Sequence, residues 1–109
     1  MATLHKYNPL DIALELKPRD DSNAEVWSQR LFTSEDEKQF HGVWQAAPGV
    51  HANLPGQETV VILEGRATVS GLNRESIDVA AGDLVFVDAG EVATWTVHEQ
   101  LRKVFVINS

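Results

Sequence analysis

The stretch Glu58–Gly65, which reads ETVVILEG, decides the fold class of this chain. Its centre is apolar and β-branched, which is typical of a strand that is buried on both faces or nearly so. Gly65 interrupts the pattern and predicts that the strand ends there. Because side chains alternate along a strand, Glu58 is predicted to share one face with Val60 and Ile62.

Strand patterns recur at short and fairly even spacing on both sides of this stretch. Upstream, apolar and polar residues alternate over Leu10–Leu16, although Asn8-Pro9 leaves the start of a helix as an alternative. Pro48-Gly49 and Pro55-Gly56 predict two close turns that form a hairpin-like corner. The other predicted strands are Glu25–Phe32, Gln39–Ala46, Arg66–Ser70, Ser76–Ala80, Leu84–Asp88, Ala93–His98 and Arg102–Asn108. About nine or ten short strands with almost no helix predict an all-β jelly roll or barrel.

Length and composition favour a single soluble domain. The chain has 109 residues, of which 43% are hydrophobic and 23% charged, so one core over residues 1–109 is expected. No run approaches the roughly 20 apolar residues of a membrane helix, and residues 1–6 lack the apolar run of a signal peptide. We therefore expect a cytoplasmic protein that has no membrane partner.

Several classes of chemistry are excluded by what the sequence lacks. There is no cysteine, which excludes disulfides, thiolate nucleophiles and zinc–thiolate sites. A net charge of -7, with no basic cluster beyond Arg102-Lys103, disfavours a nucleic-acid partner, because such binding depends on neutralising phosphates. The chain also has no Gly-x-Ser-x-Gly nucleophile motif and no phosphate-binding glycine loop. The barrel interior therefore remains the expected site.

A set of short motifs follows in a fixed order from Gly42 to Ile107. The motifs are Gly42-Val43-Trp44, Pro48-Gly49, Glu58 followed after six residues by Gly65, Ala81-Gly82-Asp83, Ala89-Gly90, Thr94-Trp95 and Leu101-Arg102-Lys103. In order and spacing they resemble a small single-domain cupin, of the branch related to ureidoglycine aminohydrolase and to the EutQ-like proteins of ethanolamine utilisation. The resemblance implies a double-stranded β-helix with N-terminal strands and loops over 1–40, a cupin core over 42–107, and a homodimer.

Cupins commonly carry metal ligands on two motifs, and the resemblance places residues of this chain on both. In the first motif, His51 takes the position of the first histidine, Asn53 that of the second and Glu58 that of the carboxylate. In the second motif, Ala93 stands where the third histidine is expected. A transition metal usually needs about three or four imidazole or carboxylate donors, and only His51 and Glu58 are strong ones. We favour no cofactor; the alternative is a weakly bound divalent metal held by His51, Asn53 and Glu58.

Glu58 needs a partner if it faces the barrel interior, as the resemblance implies. A carboxylate there is costly unless it is paired or protonated. His51 and Lys103 are the candidate partners, and one of these cations would then stand where the metal would be. The alternative is that Glu58 lies in water at the barrel mouth, with Lys103 outside.

Trp95 shares a strand face with Ala93 and would enter the space that a third histidine lines. It forms either a wall for a small ligand or a filler of the core. The predicted ligand pocket consists of His51, Asn53, Glu58, Val60, Ile62, Trp95 and Lys103. His51 and Glu58 are the candidate catalytic acid–base residues.

Three functions remain open at this point. The first is a cupin with a degenerate metal site that binds a small polar metabolite in its barrel. The second is a metal-dependent hydrolase or isomerase acting on a small nitrogenous or sugar-like substrate, against which the missing ligands count. The third is a structural or interaction module that dimerises through its N-terminal strands and has little pocket left.

Overall fold

The computed structural model describes residues 2–109, so Met1, the first residue of the predicted domain, lies outside that range. The described residues form β1 (Glu15–Leu16), β2 (Val26–Thr33), β3 (Gln39–Ala46), β4 (Gly49–Pro55), β5 (Gln57–Ser70), β6 (Ser76–Ala80), β7 (Leu84–Val87) and β8 (Val92–Asn108). Every strand pairing is antiparallel. Among these residues there is no helix with the length and apolarity needed to cross a membrane. The all-β jelly roll predicted from the sequence is confirmed.

The sheet has two halves because β5 and β8 change pairing partners along their length. In the first half, the start of β5 and the end of β8 pair with β7 and β3, and β2 and β1 continue beyond β3. In the second half, the end of β5 and the start of β8 pair with β6 and β4. Side chains from both halves, such as Trp44 from the first and Trp95 from the second, form one buried cluster. This cluster is the core of the barrel.

Gly65 lies within β5 and does not end it, which corrects the sequence prediction. Its φ is 86°, and a Cβ there would lie 2.1 Å from the carbonyl oxygen of Gln100. Glycine alone permits this approach, so the strand continues with shifts of register. Arg66–Ser70 is therefore part of β5. The strands predicted over Ala93–His98 and Arg102–Asn108 are likewise one strand, β8.

The strand predicted over Leu10–Leu16 is mostly absent, and only its last two residues, β1, pair with β2. Asn8 instead begins a turn that is closed by backbone hydrogen bonds to its carbonyl oxygen. Arg102 of β8 then donates hydrogen bonds of 2.7 Å to the carbonyl oxygens of Pro9 and Ile12. The turn and the buried guanidinium group therefore satisfy the N–H groups of Asp11 and Ile12 and the carbonyl oxygen of Ile12, which lie within the predicted strand.

The predicted corner between Pro48-Gly49 and Pro55-Gly56 contains a strand, β4, that pairs with β8. The pairing is interrupted between His51 and Leu54, where Asn53 has a φ of 57°. Asparagine tolerates this left-handed conformation better than most residues do. The two turn signals therefore mark the ends of a kinked strand.

Alternation along the start of β5 is as predicted on the inner face. Val60 and Ile62 are 0% and 1% exposed and belong to the core. Val61 between them is 41% exposed, so the prediction that this strand is buried on both faces is wrong for the outer face of the single chain. The inner face carries the site described next.

Candidate functional site

Lys103 and Glu58 form an ion pair on the inner face of the barrel. Lys103 lies on β8 between Trp44 of β3 and Ile62 of β5, and Glu58 lies nearer the start of β5. Lys103 Nζ is 3.3 Å from Glu58 Oε2 and 3.5 Å from Oε1. The side chain of Lys103 is 2% exposed and that of Glu58 is 12% exposed. Of the two partners considered for Glu58, the structure pairs it with Lys103, and Glu58 is the end nearer to solvent.

Two tryptophan rings enclose the ammonium group of Lys103. Nζ lies 4.0 Å from the ring centroid of Trp95 and 4.4 Å from that of Trp44. Both tryptophans are buried, and their ring centroids are 6.2 Å apart. Because the face of an indole ring attracts a cation, the two rings replace part of the hydration that the ammonium has lost. The Nε1–H group of Trp95 is buried and has no hydrogen-bond partner among the described residues.

Burial lowers the pKa of Lys103 below its usual value, because the charged amine loses its hydration. The carboxylate of Glu58 acts in the opposite direction, through its charge and through the hydrogen bond that it accepts. Arg19 adds a repulsion that lowers the pKa further. The charge of Lys103 therefore depends on Glu58.

His51 is fully buried and uses both of its ring nitrogens in hydrogen bonds. Nε2 lies 2.9 Å from the carbonyl oxygen of Ala47, and Nδ1 lies 2.9 Å from Ser22 Oγ. A carbonyl oxygen can only accept, so Nε2 carries the proton and Nδ1 accepts from the Ser22 hydroxyl. Burial, and to a lesser degree the charges of Arg19 and Lys103, lower the pKa of His51, while the bond to Ala47 opposes them. His51 thus fastens β4 to the loop that carries Ser22.

The residues that the metal motifs would supply do not fit a metal ion. Glu58 is paired with Lys103, and neither nitrogen of His51 is free for a ligand bond. Asn53 is exposed, and its backbone carbonyl oxygen accepts a hydrogen bond from Arg19. Ala93 is buried and has no donor atom in its side chain. In residues 2–109 there is no group of three or more His, Cys, Asp or Glu side chains placed to hold a metal ion.

The structure brings together part of the predicted pocket, namely Glu58, Trp95 and Lys103. Trp44, which was not part of the predicted pocket, completes this cluster. Asn53 lies outside it. The alternation of β3 places Trp44 on the inner face, but only the pairing of β3 with β8 sets it opposite Lys103. That pairing is a long-range property that no local pattern in the sequence reports.

A pocket of about 220 Å³ opens beside this cluster, between the end of β5, the start of β6 and β7. Its apolar wall consists of Val69, Val85, Val87 and Ala93, which belong to the core cluster. Val87 of β7 pairs with Glu58 of β5 in the sheet. Ala93 lies two positions before Trp95 on the same face of β8. The pocket lining therefore includes sheet neighbours of Glu58 and Trp95, although none of Glu58, Lys103 and Trp95 lines it.

The jelly-roll barrel is the architecture of cupins, among other proteins. A family model described as an EutQ-like cupin domain matches residues 33–105. The chain therefore belongs to the EutQ-like cupin domain family, and the resemblance found in the sequence is confirmed. No curated protein matches the chain.

Solved structures of cupins share the fold. A predicted oxalate decarboxylase from Thermotoga maritima is 21% identical, with a TM-score of 0.78 over 95% of this chain and 98% of that one. A putative ethanolamine utilization protein Q from Salmonella typhimurium is 22% identical, with a TM-score of 0.71 over 85% and 77% of the two chains. A protein of unknown function from Pseudomonas syringae pv. tomato is 27% identical, with a TM-score of 0.77 over 90% of this chain and 45% of that one.

Proposed function

We propose that this cupin binds a small polar metabolite, without a metal ion, at the Glu58–Lys103 pair and in the adjoining pocket. The observation that carries the proposal is the ion pair itself. An ammonium and a carboxylate group, 2% and 12% exposed, lie on an inner face whose core cluster is apolar and whose other buried polar side chain is His51. In this proposal the lysine supplies the positive charge that a metal ion supplies in other cupins.

The energetics of a buried ion pair support a functional role. Removing two charges from water costs several kcal/mol per ion, and apolar side chains of similar volume are often neutral or stabilising replacements. The Glu58–Lys103 pair is therefore not explained by stability alone. Buried charges with perturbed pKa values, such as that of Lys103, concentrate at functional sites.

Each group of the site has a role in binding. Glu58 is nearer to solvent and accepts hydrogen bonds from N–H or O–H groups of the ligand, while Lys103 orients the carboxylate from behind. Trp95 offers its unpartnered Nε1–H group as a donor. The pocket of about 220 Å³ is smaller than the ~300–1,000 Å³ of sites for drug-sized ligands, so the ligand is a small metabolite.

Glu58 is also the acid–base candidate that remains available to a ligand. Both nitrogens of His51 are used in hydrogen bonds, whereas the carboxylate of Glu58 has lone pairs beyond those that face Lys103. Conversion of a bound ligand by the wild type, but not by Glu58→Gln, would make the protein an enzyme that uses Glu58 for proton transfer.

Metal analysis tests the first half of the proposal. Protein purified without chelator and without nickel resin should contain far less than one equivalent of manganese, iron, nickel or zinc. None of these ions should raise its melting temperature. A stoichiometric metal that is lost in Glu58→Gln would overturn metal-independent binding.

A metabolite panel read by thermal shift tests the second half, because a ligand that binds only the folded state stabilises it by about 2.7 kcal/mol at a hundredfold excess over its Kd. The shift should disappear in Glu58→Gln and in Lys103→Met, each compared with its own ligand-free protein. Glu64→Gln is the matched control, since Glu64 is an exposed carboxylate on the same strand. Absence of any ligand across a broad panel, or equal loss in the control, would contradict the proposal.

A further inference from the structure

Lys103 is the one lysine of this chain that is buried. Its side chain is 2% exposed, whereas Lys6, Lys17 and Lys38 are exposed on the surface. A lysine nitrogen becomes a nucleophile when it loses its proton, and an apolar environment that excludes water favours that loss. The binding proposed above uses only the charge of Lys103 and leaves the reactivity of its nitrogen unused.

The surroundings of Lys103 Nζ include a group that can take its proton. The carboxylate oxygens of Glu58 lie 3.3 and 3.5 Å away, whereas the rings of Trp95 and Trp44, at 4.0 and 4.4 Å, cannot accept a proton. Burial favours the uncharged form of the pair, an amine beside a carboxylic acid, because that form has no charge to desolvate. The lowered pKa of Lys103 has the same cause. One proton transfer along an existing hydrogen bond therefore produces the nucleophile.

We propose that the amine of Lys103 reacts with a small, uncharged α-hydroxycarbonyl compound and holds it as an imine, with Glu58 transferring the protons. This inference rests on the proposed function, because it assigns a ligand class and a reaction to the same pair. A carbonyl compound brings no net charge to a pair that is already neutral. Its carbon accepts the amine, and its hydroxyl group donates a hydrogen bond to Glu58.

The reaction conserves atoms and charge. Lys103 gives a proton to Glu58, and the amine lone pair attacks the carbonyl carbon while the π electrons of the C=O bond move to oxygen. That oxygen takes the proton from Glu58 and becomes a hydroxyl group. Glu58 next removes a second proton from the nitrogen and delivers it to the hydroxyl, which leaves as water while the nitrogen lone pair forms the C=N bond. The products are water, an iminium ion and the Glu58 carboxylate.

The site suits the iminium product as well as the amine. The iminium ion takes the place of the ammonium group, so its positive charge keeps Glu58 and the rings of Trp44 and Trp95 as partners. Water hydrolyses imines, and the 2% exposure of Lys103 keeps bulk water away from Nζ. Glu58 is the more exposed partner at 12%, so the ligand enters and the released water leaves on its side.

Reductive trapping with sodium cyanoborohydride, followed by peptide mapping with mass spectrometry, tests the proposal on the full chain. The probe is glycolaldehyde, the smallest α-hydroxyaldehyde. At pH 7 and with limiting probe, Lys103 should be labelled at least about tenfold faster than Lys17 and Lys38. These exposed lysines are the internal controls, since an amine with an unperturbed pKa of about 10.4 is more than about 99.9% protonated at that pH.

Two variants separate proton transfer by Glu58 from simple access to the amine. Glu58→Gln keeps the shape of the side chain but cannot take a proton, so labelling of Lys103 should fall at least about tenfold while Lys17 and Lys38 label as before. Glu64→Gln is the matched control and should label as the wild type does, since Glu64 is an exposed carboxylate on the same strand. Circular dichroism checks that both variants fold, and the wild-type map tests the proposal without them.

The outcomes distinguish this inference from the binding on which it rests. Labelling of Lys103 no faster than that of the exposed lysines, or equal labelling in Glu58→Gln, overturns the imine. A metabolite that raises the melting temperature through Glu58 and Lys103, in a protein whose Lys103 glycolaldehyde does not label, overturns the imine and leaves the proposed function standing. Absence of any thermal shift together with absence of labelling at Lys103 overturns both.

Discussion

Removing one partner of the Glu58–Lys103 pair should destabilise the barrel, whereas removing both should not. Breaking a buried pair typically costs about 3–5 kcal/mol, because it leaves one charge buried without compensation. Glu58→Leu leaves the Lys103 ammonium group, which is 2% exposed, with only its two tryptophan contacts. Those contacts remain in the variant and keep the loss at the lower end of that range, so we expect a cost of about 3 kcal/mol.

The other two variants of this set define the coupling between the residues. Lys103→Met leaves Glu58, which is 12% exposed and can turn toward water, so its cost should be smaller, about 1–2 kcal/mol. In the double variant, leucine and methionine fill the space against Trp44 and Trp95 with apolar atoms. Its free energy of unfolding should lie within about 1 kcal/mol of the wild type. The coupling energy between the two changes should therefore be about 3 kcal/mol or more.

Urea unfolding at neutral pH measures all four free energies, provided that the m-value stays constant across the set. Glu15→Gln is the control, since Glu15 and Lys17 form an exposed pair at 2.9 Å whose loss should cost less than about 1 kcal/mol. If the double variant costs the sum of the two single variants, Glu58 and Lys103 do not interact and the reasoning is refuted.

The stability of Glu58→Leu should also rise with pH. Burial lowers the pKa of Lys103 from its usual 10.5, and the variant loses the carboxylate that opposes this shift. Between the folded pKa and 10.5, the unfolded chain binds more protons than the folded one, so the free energy of unfolding increases with pH. This contribution of Lys103 to the free energy of unfolding is fully present above pH 10.5 and is lost as pH falls through the pKa of Lys103 in the folded chain. A flat pH profile would mean that Lys103 is solvated in the variant.

Three further predictions concern the scaffold around the site. Burial lowers the pKa of His51 from 6.5, so as pH falls the unfolded chain protonates this residue before the folded chain does. The free energy of unfolding should therefore fall as pH drops below 6.5. His51→Gln should reduce this slope in urea unfolding, and an unchanged slope would contradict the assignment. Gly65→Ala should lower the free energy of unfolding by well over the roughly 1–2 kcal/mol of a left-handed alanine, because the new Cβ meets backbone atoms. Gly82→Ala should cost only that strain, because a Cβ there has no atom within 4 Å. Equal melting temperatures of the two variants would refute this reasoning. Arg102→Met should release the N-terminal segment to limited proteolysis, and unchanged cleavage would show that other contacts hold it.

Local patterns in the sequence predicted the start of β5 well but not its continuation. Alternation is a property of neighbouring residues, so the inward placement of Val60 and Ile62 follows from the sequence directly. A glycine such as Gly65 commonly marks the end of a strand. Only the close approach of Gln100 from β8 shows that Gly65 is instead a bend within β5. The alternating residues of Leu10–Leu16 gave a wrong prediction for a similar reason, because a turn and Arg102 take backbone groups of Asp11 and Ile12 that a strand would have paired.

The site was predictable in its residue types but not in its contacts. The sequence placed Glu58 inside and offered His51 or Lys103 as its partner, yet Lys103 pairs in the sheet with Ile62 and reaches Glu58 only through the length of its side chain. His51 is instead held by Ser22, which lies in the loop between β1 and β2. Both contacts depend on how distant strands are placed, which a local pattern does not encode.

An ammonium group in the place of a metal ion restricts what such a site can do. A metal ion has open coordination positions and lowers the pKa of bound water, whereas a lysine offers one positive charge and hydrogen-bond donors but no coordination position. Here those donors face Glu58 and two indole rings. On our proposal, the pair is already neutral, so a ligand that brings a further net charge next to Lys103 would bury it without compensation. The ligand should therefore approach Glu58 with a neutral hydrogen-bond donor, such as a hydroxyl or amide group, and keep any charge toward solvent.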